Sequence, residues 1–255
     1  MVLAHVHGED APQLDLIFAQ APSGETYLKR QYAAFPFHVT QPFHKNGVAE
    51  VILQSLGAGL VAGDHFASSF KSESGSARVV TQGSTVAHGM NGGMASQLVR
   101  LEVLPGASLF YAPRPLILFA GASVISKLEI ILHDGGSVVW VDAFLAHNAS
   151  ASGQTFALLQ SETTVVSTSG KILALDRFSI TGDAIADSAV MAGHAVHAGI
   201  GWAGCHQGPD ASQLPTCADV VAGVSDLPDD LGRYVRLLSR DGVAYNRAVT
   251  SLGLS

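Results

Sequence analysis

The chain has 255 residues, of which 47% are hydrophobic, 14% are charged and 27 are glycines, and its net charge is -7. This composition predicts many buried strands and tight turns and excludes intrinsic disorder, and the negative charge argues against a nucleic-acid partner. The 2 cysteines cannot supply a disulfide framework. The N-terminus shows no basic region followed by an apolar one, as a signal peptide would, and no apolar run is long enough to span a membrane. We therefore expect a cytoplasmic protein that does not enter a membrane.

The first residues are polar and irregular, so we expect residues 1–12 to form a flexible segment and residues 13–255 to form one domain. Two short strands are predicted at 14–19 and 25–32. Pro-Phe-His then occurs twice, ending at His38 and His44. The prolines indicate an edge strand or an extended connection. Either histidine could bind a metal, although a hydrogen-bonded imidazole is the more common outcome.

The apolar run at 51–56 predicts a buried strand that ends in a structural turn containing Gly57, Gly59 and Gly63. Asp64 follows this turn. Its carboxylate could meet a cation together with the neighbouring His65, or it could accept backbone N–H bonds within its own turn. The turn lacks the Lys and Ser/Thr of a phosphate-binding loop, and its glycine spacing does not match a dinucleotide-binding motif.

Alternating hydrophobicity and recurrent turn residues predict strand after strand beyond this point. We expect a hairpin around Asp134-Gly135-Gly136 and a charge pair, Asp176 and Arg177, that is either an ion pair or the lining of a wet passage. Arg114 lies between two prolines and is a candidate contact with another protein. The predicted strands are 65–70, 77–82, 84–88, 97–103, 108–112, 128–132, 138–144, 154–160, 162–168, 171–180, 221–224 and 233–238.

The C-terminal part has a different character. Imidazole and thiol groups that suit zinc or nickel occur near each other in the sequence here, at His194, His197 and Cys205. Their spacing matches no standard zinc module. A short helix is predicted within 210–222. Asp241 is a good N-cap, and it precedes an amphipathic helix that carries apolar residues at three- and four-residue spacing. The pattern as a whole, without alternation of strands and helices, predicts an all-β protein with a few short helices near the C-terminus.

Several motifs in this order resemble the UreD/UreH family of urease accessory proteins. They are YLKRQYAAFPFHVTQPFH, LGAGLVAGD, VVTQGST, LEVLPGASLFYAPRPLILFAGA, LALDR and AGVSDLP followed by YVRLL. The resemblance implies a scaffold of stacked, sandwich-like sheets that binds UreF, and through UreF the GTPase UreG. It further implies an assembly that delivers Ni²⁺ to apo-urease, with a water-filled passage through the scaffold as the route. The chain departs from the family pattern in lacking a basic residue at 85–88, in Gln154 and in its short C-terminal helix.

The resemblance also suggests roles for individual residues. We expect transient Ni²⁺ and no stably bound cofactor, with a passage lined by Asp64, His65, Thr81, Gln82 and Asp176, and partner contacts at Arg114, Tyr234 and Arg236. We find no nucleophile, base and orienting group together, so we expect no enzymatic activity. Two alternatives stay open: a metal-dependent hydrolase on a β-sandwich that uses His194, His197 and Cys205, and a purely structural interaction module.

Overall fold

Two stacked sheets contain the 18 strands found in the part of the chain that the computed structural model describes, namely residues 11–147, 153–204, 208–215 and 217–254. The strands are β1 Leu14–Gln20, β2 Thr26–Ala33, β3 Phe37–Val39, β4 Phe43–Lys45, β5 Val48–Ser55, β6 His65–Ser72, β7 Ser76–Thr81, β8 Val86–Ala87, β9 Ala95–Val103, β10 Ser108–Ala112, β11 Leu116–Leu118, β12 Ser123–Leu132, β13 Ser137–Ala146, β14 Leu158–Val166, β15 Ile172–Ile180, β16 Val196–Gly204, β17 Val220–Asp226 and β18 Gly232–Ser239. Two α-helices, α1 Ser188–Met191 and α2 Gly242–Ser251, follow β15 and β18. The all-β prediction with a few short helices near the C-terminus is confirmed. The predicted flexible segment lies, apart from residues 11 and 12, outside the described residues.

The smaller sheet, sheet A, has 7 strands in the order β15-β14-β12-β9-β6-β1-β2. The larger one, sheet B, has 11 strands, and its main path runs β17-β18-β16-β13-β10-β7-β5-β3. Successive strands alternate between the sheets along much of the chain, so neighbours within each sheet are parallel and are connected through the other sheet. The chain therefore returns to the same position along sheet B roughly every thirty residues, as in a coil of repeated turns. The residues paired in register at this position on adjacent strands are Val48, Ser76, Ser108 and Ser137.

The predicted hairpin around Asp134-Gly135-Gly136 is wrong. β12 belongs to sheet A and pairs with β9 and β14, whereas β13 belongs to sheet B and pairs with β10 and β16. The turn residues close a tight turn, with Gly136 N–H donating to the His133 carbonyl, but this turn leads the chain from one sheet into the other. A turn sequence shows where a strand ends and not which strand becomes its neighbour.

Two further boundaries differ from the sequence predictions. The two strands expected at 154–160 and 162–168 are one strand, β14. The helix expected within 210–222 is a single 3-10 turn at Ala211–Gln213, followed by β17. Asp210 caps this turn through a capping box, and the β-branched residues after it pair with β18 instead of continuing a helix.

Apolar side chains fill three regions. The largest lies between the sheets and contains fully buried side chains such as Phe18, Leu101 and Ile130. A second region lies on the outer face of sheet B under α2, where Tyr245 and Val249 are buried as the helical periodicity predicts. Asp241 caps this helix by accepting the N–H groups of Val243 and Ala244, which confirms its predicted role. The third region closes one end of the layer between the sheets.

The glycine-rich turn follows β5 and packs its backbone against the neighbouring strand. Gly59 has φ 116, and an added Cβ would overlap the carbonyl oxygen of Val86, which already accepts the Leu60 N–H at 2.7 Å. Gly63 has φ 89 with open space around it, whereas Gly57 has no unusual backbone angle. Gly59 is therefore the position in this turn where both conformation and space require glycine.

We expect Gly59→Val to destabilise the fold by about 1–3 kcal/mol, because a branched side chain meets both strain and the Val86 backbone. Thermal melting and the yield of soluble protein measure the effect. Gly83→Ala is the matched control, since Gly83 has no positive φ and nothing lies within 4 Å of its added Cβ. A Gly59→Val variant with the same melting temperature as the wild type would show that this turn tolerates a side chain.

Candidate functional site

A cavity of about 410 Å³ lies between the two sheets next to the glycine-rich turn. Side chains from both sheets line it, including Ser68, Gln97 and Ser126 from sheet A and Thr81 and Asp142 from sheet B. These hydroxyl, amide and carboxylate groups share the lining with apolar side chains such as Phe70 and Leu128, in a layer that is otherwise apolar. The cavity is therefore a polar interruption of the core.

Asp142 is an acidic residue among those that line this cavity, which also include the cationic Lys127 and Arg114. It shares the inward face of β13 with Trp140, because alternate residues of a strand point to the same side. Ser161 Oγ donates to Asp142 Oδ2 at 2.6 Å. No ion pair of Asp142 with a Lys, Arg or His is found among the described residues. Burial raises the pKa of Asp142, the hydrogen bond from Ser161 lowers it, and the charge of Asp176 raises it again.

Asp176 continues the polar layer from Asp142 toward the edge of the sheets. Its Oδ2 accepts a hydrogen bond from Tyr234 Oη at 2.6 Å, and its Oδ1 is paired with the guanidinium of Arg236. Burial raises the pKa of Tyr234, and the charge and hydrogen bond of Asp176 raise it further. Arg177, next in the chain, points to the other face of the sheet and pairs with Glu162 at 2.6 Å. The predicted charge pair is therefore two separate ion pairs on opposite faces of β15.

His197 lies close to this group on β16. Its ring stacks on Phe144 and meets Phe178 edge-on. Its Nδ1 is buried without a hydrogen-bond partner among the described residues. The pKa of His197 is lowered to about 4, mainly by burial and further by the charge of Arg236, while the charge of Asp176 acts in the opposite direction. The imidazole is therefore neutral at pH 7.

Asp64 and His65 are not among the residues that line the cavity. Asp64 Oδ2 accepts the Val61 N–H at 2.9 Å, so the carboxylate has the capping role within its own turn that the sequence allowed as the alternative. His65 is exposed at the start of β6 and forms a hydrogen bond with Ser96 Oγ at 2.6 Å. Their part in metal transfer stays a prediction.

Thr81 and Gln82 do line the cavity, as does Arg114. Thr81 Oγ1 accepts the Arg114 backbone N–H at 2.8 Å, and Arg114 Nη1 donates to Asn246 Oδ1 at 2.8 Å, which connects the cavity wall to α2. Gln82 is exposed, and its amide oxygen accepts a hydrogen bond from Gln54 at 2.9 Å. Gln82 therefore lies where the cavity opens to solvent.

The residues proposed for a hydrolase are not assembled by the described part of the chain. His194 Nδ1 donates to the Met191 carbonyl at 3.0 Å, while His197 packs between phenylalanine rings. Cys205 lies outside the described residues, as do His5, His7 and His206. Across residues 11–147, 153–204, 208–215 and 217–254, no three His, Cys, Asp or Glu side chains are arranged to hold a metal ion.

Sequence reasoning missed Asp142. One carboxylate within the apolar stretch 138–145 would have pointed to it, since a buried acid without a visible partner is costly. It also missed Gly199, which pairs with Asp142 on one side and with Arg236 on the other. A Cβ on Gly199 would overlap the hydroxyl of Tyr234, so this glycine makes room for the ring between the two acids.

The chain is similar in sequence to known proteins. The family profile described as UreD urease accessory protein matches residues 10–254. Urease accessory protein UreD 1 of Pseudomonas syringae pv. syringae is 34% identical over 247 residues, which cover 92% of this chain and 87% of that protein. Urease accessory protein UreD 1 of Methylorubrum populi is 31% identical over 241 residues, which cover 90% and 82%. Among the described residues, no helix is both long and apolar enough to cross a membrane.

The buried charge of Asp142 gives a pH-dependent prediction. Because its pKa is raised in the folded state, the folded protein binds this proton more readily than the unfolded chain, and the stability of the wild type falls as pH rises through that range. Asp142→Asn removes the charge and keeps an oxygen that can accept from Ser161. We expect this variant to melt a few degrees above the wild type at pH 7, and the difference to shrink as pH falls toward about 4, where the carboxyl of the unfolded chain is protonated as well.

Thermal melts between about pH 4 and pH 8 measure the effect. Asp219→Asn is the control, because Asp219 is an exposed carboxylate paired with Arg240 at 2.9 Å, and its loss cannot relieve a buried charge. An Asp142→Asn variant that is less stable than the wild type at pH 7 would contradict the account.

Proposed function

The chain belongs to the UreD family of urease accessory proteins, and we propose that it carries Ni²⁺ toward apo-urease in an assembly with UreF and, through UreF, with UreG. In this proposal nickel is a passing cargo and no cofactor is bound stably. The chain acts as a scaffold and has no turnover of its own.

The observation that supports this proposal most is the carboxylate of Asp142 in the cavity between the sheets, which forms no ion pair with any of the described residues. A buried carboxylate without a counter-cation is costly, and a divalent cation entering the cavity would remove that cost. The surrounding hydroxyl and amide oxygens are weak ligands. Weak ligands at several positions suit an ion that must both enter and leave.

The proposed route runs from the opening at Gln82 past Thr81 to Asp142, and from there toward Asp176. Carboxylate oxygens and imidazole nitrogens are both accepted by Ni²⁺. Asp64 and His65 would take part as outer contacts, away from the cavity.

Two exposed apolar side chains support the proposal of a partner surface beside this opening. Phe35 is 76% exposed and Leu56 is 66% exposed. The two residues lie near each other, because the Leu56 N–H donates to the carbonyl of Pro36, the neighbour of Phe35, at 2.7 Å. They also lie beside the cavity, because Gly57, which follows Leu56, is one of its lining residues. UreF bound here would cover apolar surface and shield the cavity opening from water.

The nickel content of urease tests the route. We expect Asp142→Asn to fold and to bind UreF but to yield urease with a several-fold lower nickel content after co-expression, because the buried charge that attracts the cation is gone. Asp219→Asn is the matched control. Asp64→Asn is measured beside it, and normal nickel content in that variant would remove Asp64 from the route. Normal nickel content in Asp142→Asn would refute the proposed passage.

Solubility tests the partner surface. We expect the protein to be poorly soluble alone and to gain soluble yield on co-expression with UreF. The double variant Phe35→Ser and Leu56→Ser should be more soluble than the wild type in the absence of UreF, and less UreF should co-elute with it. Size-exclusion chromatography of both proteins with and without UreF measures this. Wild-type protein that is monodisperse alone and indifferent to UreF would count against the surface.

A further inference from the structure

Asp176 has no free oxygen, although it lies next to Asp142 in the polar layer. Tyr234 Oη donates to one carboxylate oxygen at 2.6 Å, and the guanidinium of Arg236 pairs with the other. Asp176 and Asp142 act on each other electrostatically, and both raise the pKa of Tyr234. A cation that reached Asp142 would therefore meet, at the next carboxylate, a position already occupied by positive charge.

Arg236 lies where this layer reaches the surface. Its side chain is 53% exposed, whereas the side chain of Asp176 is 18% exposed. β15 and β17 are the last strands of sheets A and B at this edge. Arg236, on the inward face of β18 beside β17, thus separates the interior from solvent. Withdrawing one flexible side chain would expose Asp176.

A second donor group lies unused at the same place. His197 is two residues from Gly199 on the same face of β16, and its buried Nδ1 has no hydrogen-bond partner among the described residues. Arg236 and Asp176 both act on its charge state, so it lies within electrostatic reach of the ion pair. A neutral imidazole nitrogen and a carboxylate are a donor pair that divalent transition metals accept.

We propose that Asp176 belongs to a divalent-cation site that is closed by Arg236, whose guanidinium occupies the place of the cation. The site opens when Arg236 swings toward solvent, and the freed carboxylate then binds the metal with His197 close by. The present arrangement, in which the guanidinium of Arg236 is paired with Asp176, is the closed state. This inference rests on the proposed function, since it makes Arg236 the closure at the far end of the nickel route.

Nickel binding to the purified protein tests the proposal directly. We expect Arg236→Ala to bind Ni²⁺ at least tenfold more tightly than the wild type in a calorimetric titration with NiCl₂, because the competing cation is gone. Adding Asp176→Asn to that variant should abolish the gain. Arg236→Met keeps a long apolar stem against Tyr234 without the charge and should behave as Arg236→Ala does, so the test holds even where the shorter side chain impairs folding.

Arg177→Ala is the matched control, because the Arg177–Glu162 pair has nearly the same exposure, 52% and 24%, on the opposite face of the same strands. This variant should bind Ni²⁺ as the wild type does. Unchanged nickel affinity in both Arg236 variants would overturn the proposal, and so would a gain that survives Asp176→Asn or that also occurs in Arg177→Ala.

The closure and the route fail in different measurements. A fall in urease nickel content in Asp142→Asn, together with unchanged nickel affinity in the Arg236 variants, would overturn the closure and leave the route standing. Normal urease nickel content in Asp142→Asn, together with tighter nickel binding in the Arg236 variants, would overturn the route while supporting a cation site at Asp176.

Discussion

The layer between the two sheets is the constraint on which the rest of this structure depends. Between β5 and β14 the chain passes repeatedly from one sheet to the other, so each of these strands must present one face to this layer and must match the parallel neighbours of earlier turns. Large side chains such as Phe18, Phe70 and Trp140 fill most of it. Polar groups in this layer are largely shielded from bulk water, and the cost of burying them has to be offset locally.

The two buried acids offset that cost in different ways. Asp176 has a hydroxyl donor and a guanidinium, which satisfy both of its oxygens. Asp142 accepts a hydrogen bond from Ser161 and lies beside the cavity, and it forms no ion pair within the described part of the chain. The Asp176–Arg236 pair lies at the edge of the layer, where the Arg236 side chain is 53% exposed and can withdraw into solvent, whereas Asp142 faces the cavity directly.

Much of the fold could be predicted from local patterns, because alternation and capping are local properties. β9 follows its predicted alternation, and Asp241 caps α2 as expected. Pairing is not local: Asp134-Gly135-Gly136 predicts a turn equally well within a hairpin or between sheets, so the parallel coil could not be deduced from it. The same limit applies to the site. Thr81 came from the family resemblance, and Asp176 also stood out as a charge within an apolar strand, whereas neither the cavity beside Asp142 nor its contact with Ser161 on the facing sheet can be read from a local pattern.

Glycines on β16 explain why the polar layer lies where it does. An added Cβ on Gly201 would overlap the ring of Trp140, and one on Gly199 would overlap the hydroxyl of Tyr234, so each glycine admits an aromatic ring from an adjacent strand. Trp140 then completes the apolar core on one side, while the hydroxyl of Tyr234 projects over Gly199 to Asp176. The change from apolar packing to charge takes place within two residues of one strand. The two rings occupy the space that side chains at Gly199 and Gly201 would fill. A larger residue in place of Gly199 would therefore displace Tyr234, and with it the hydrogen bond that holds Asp176 beside Arg236.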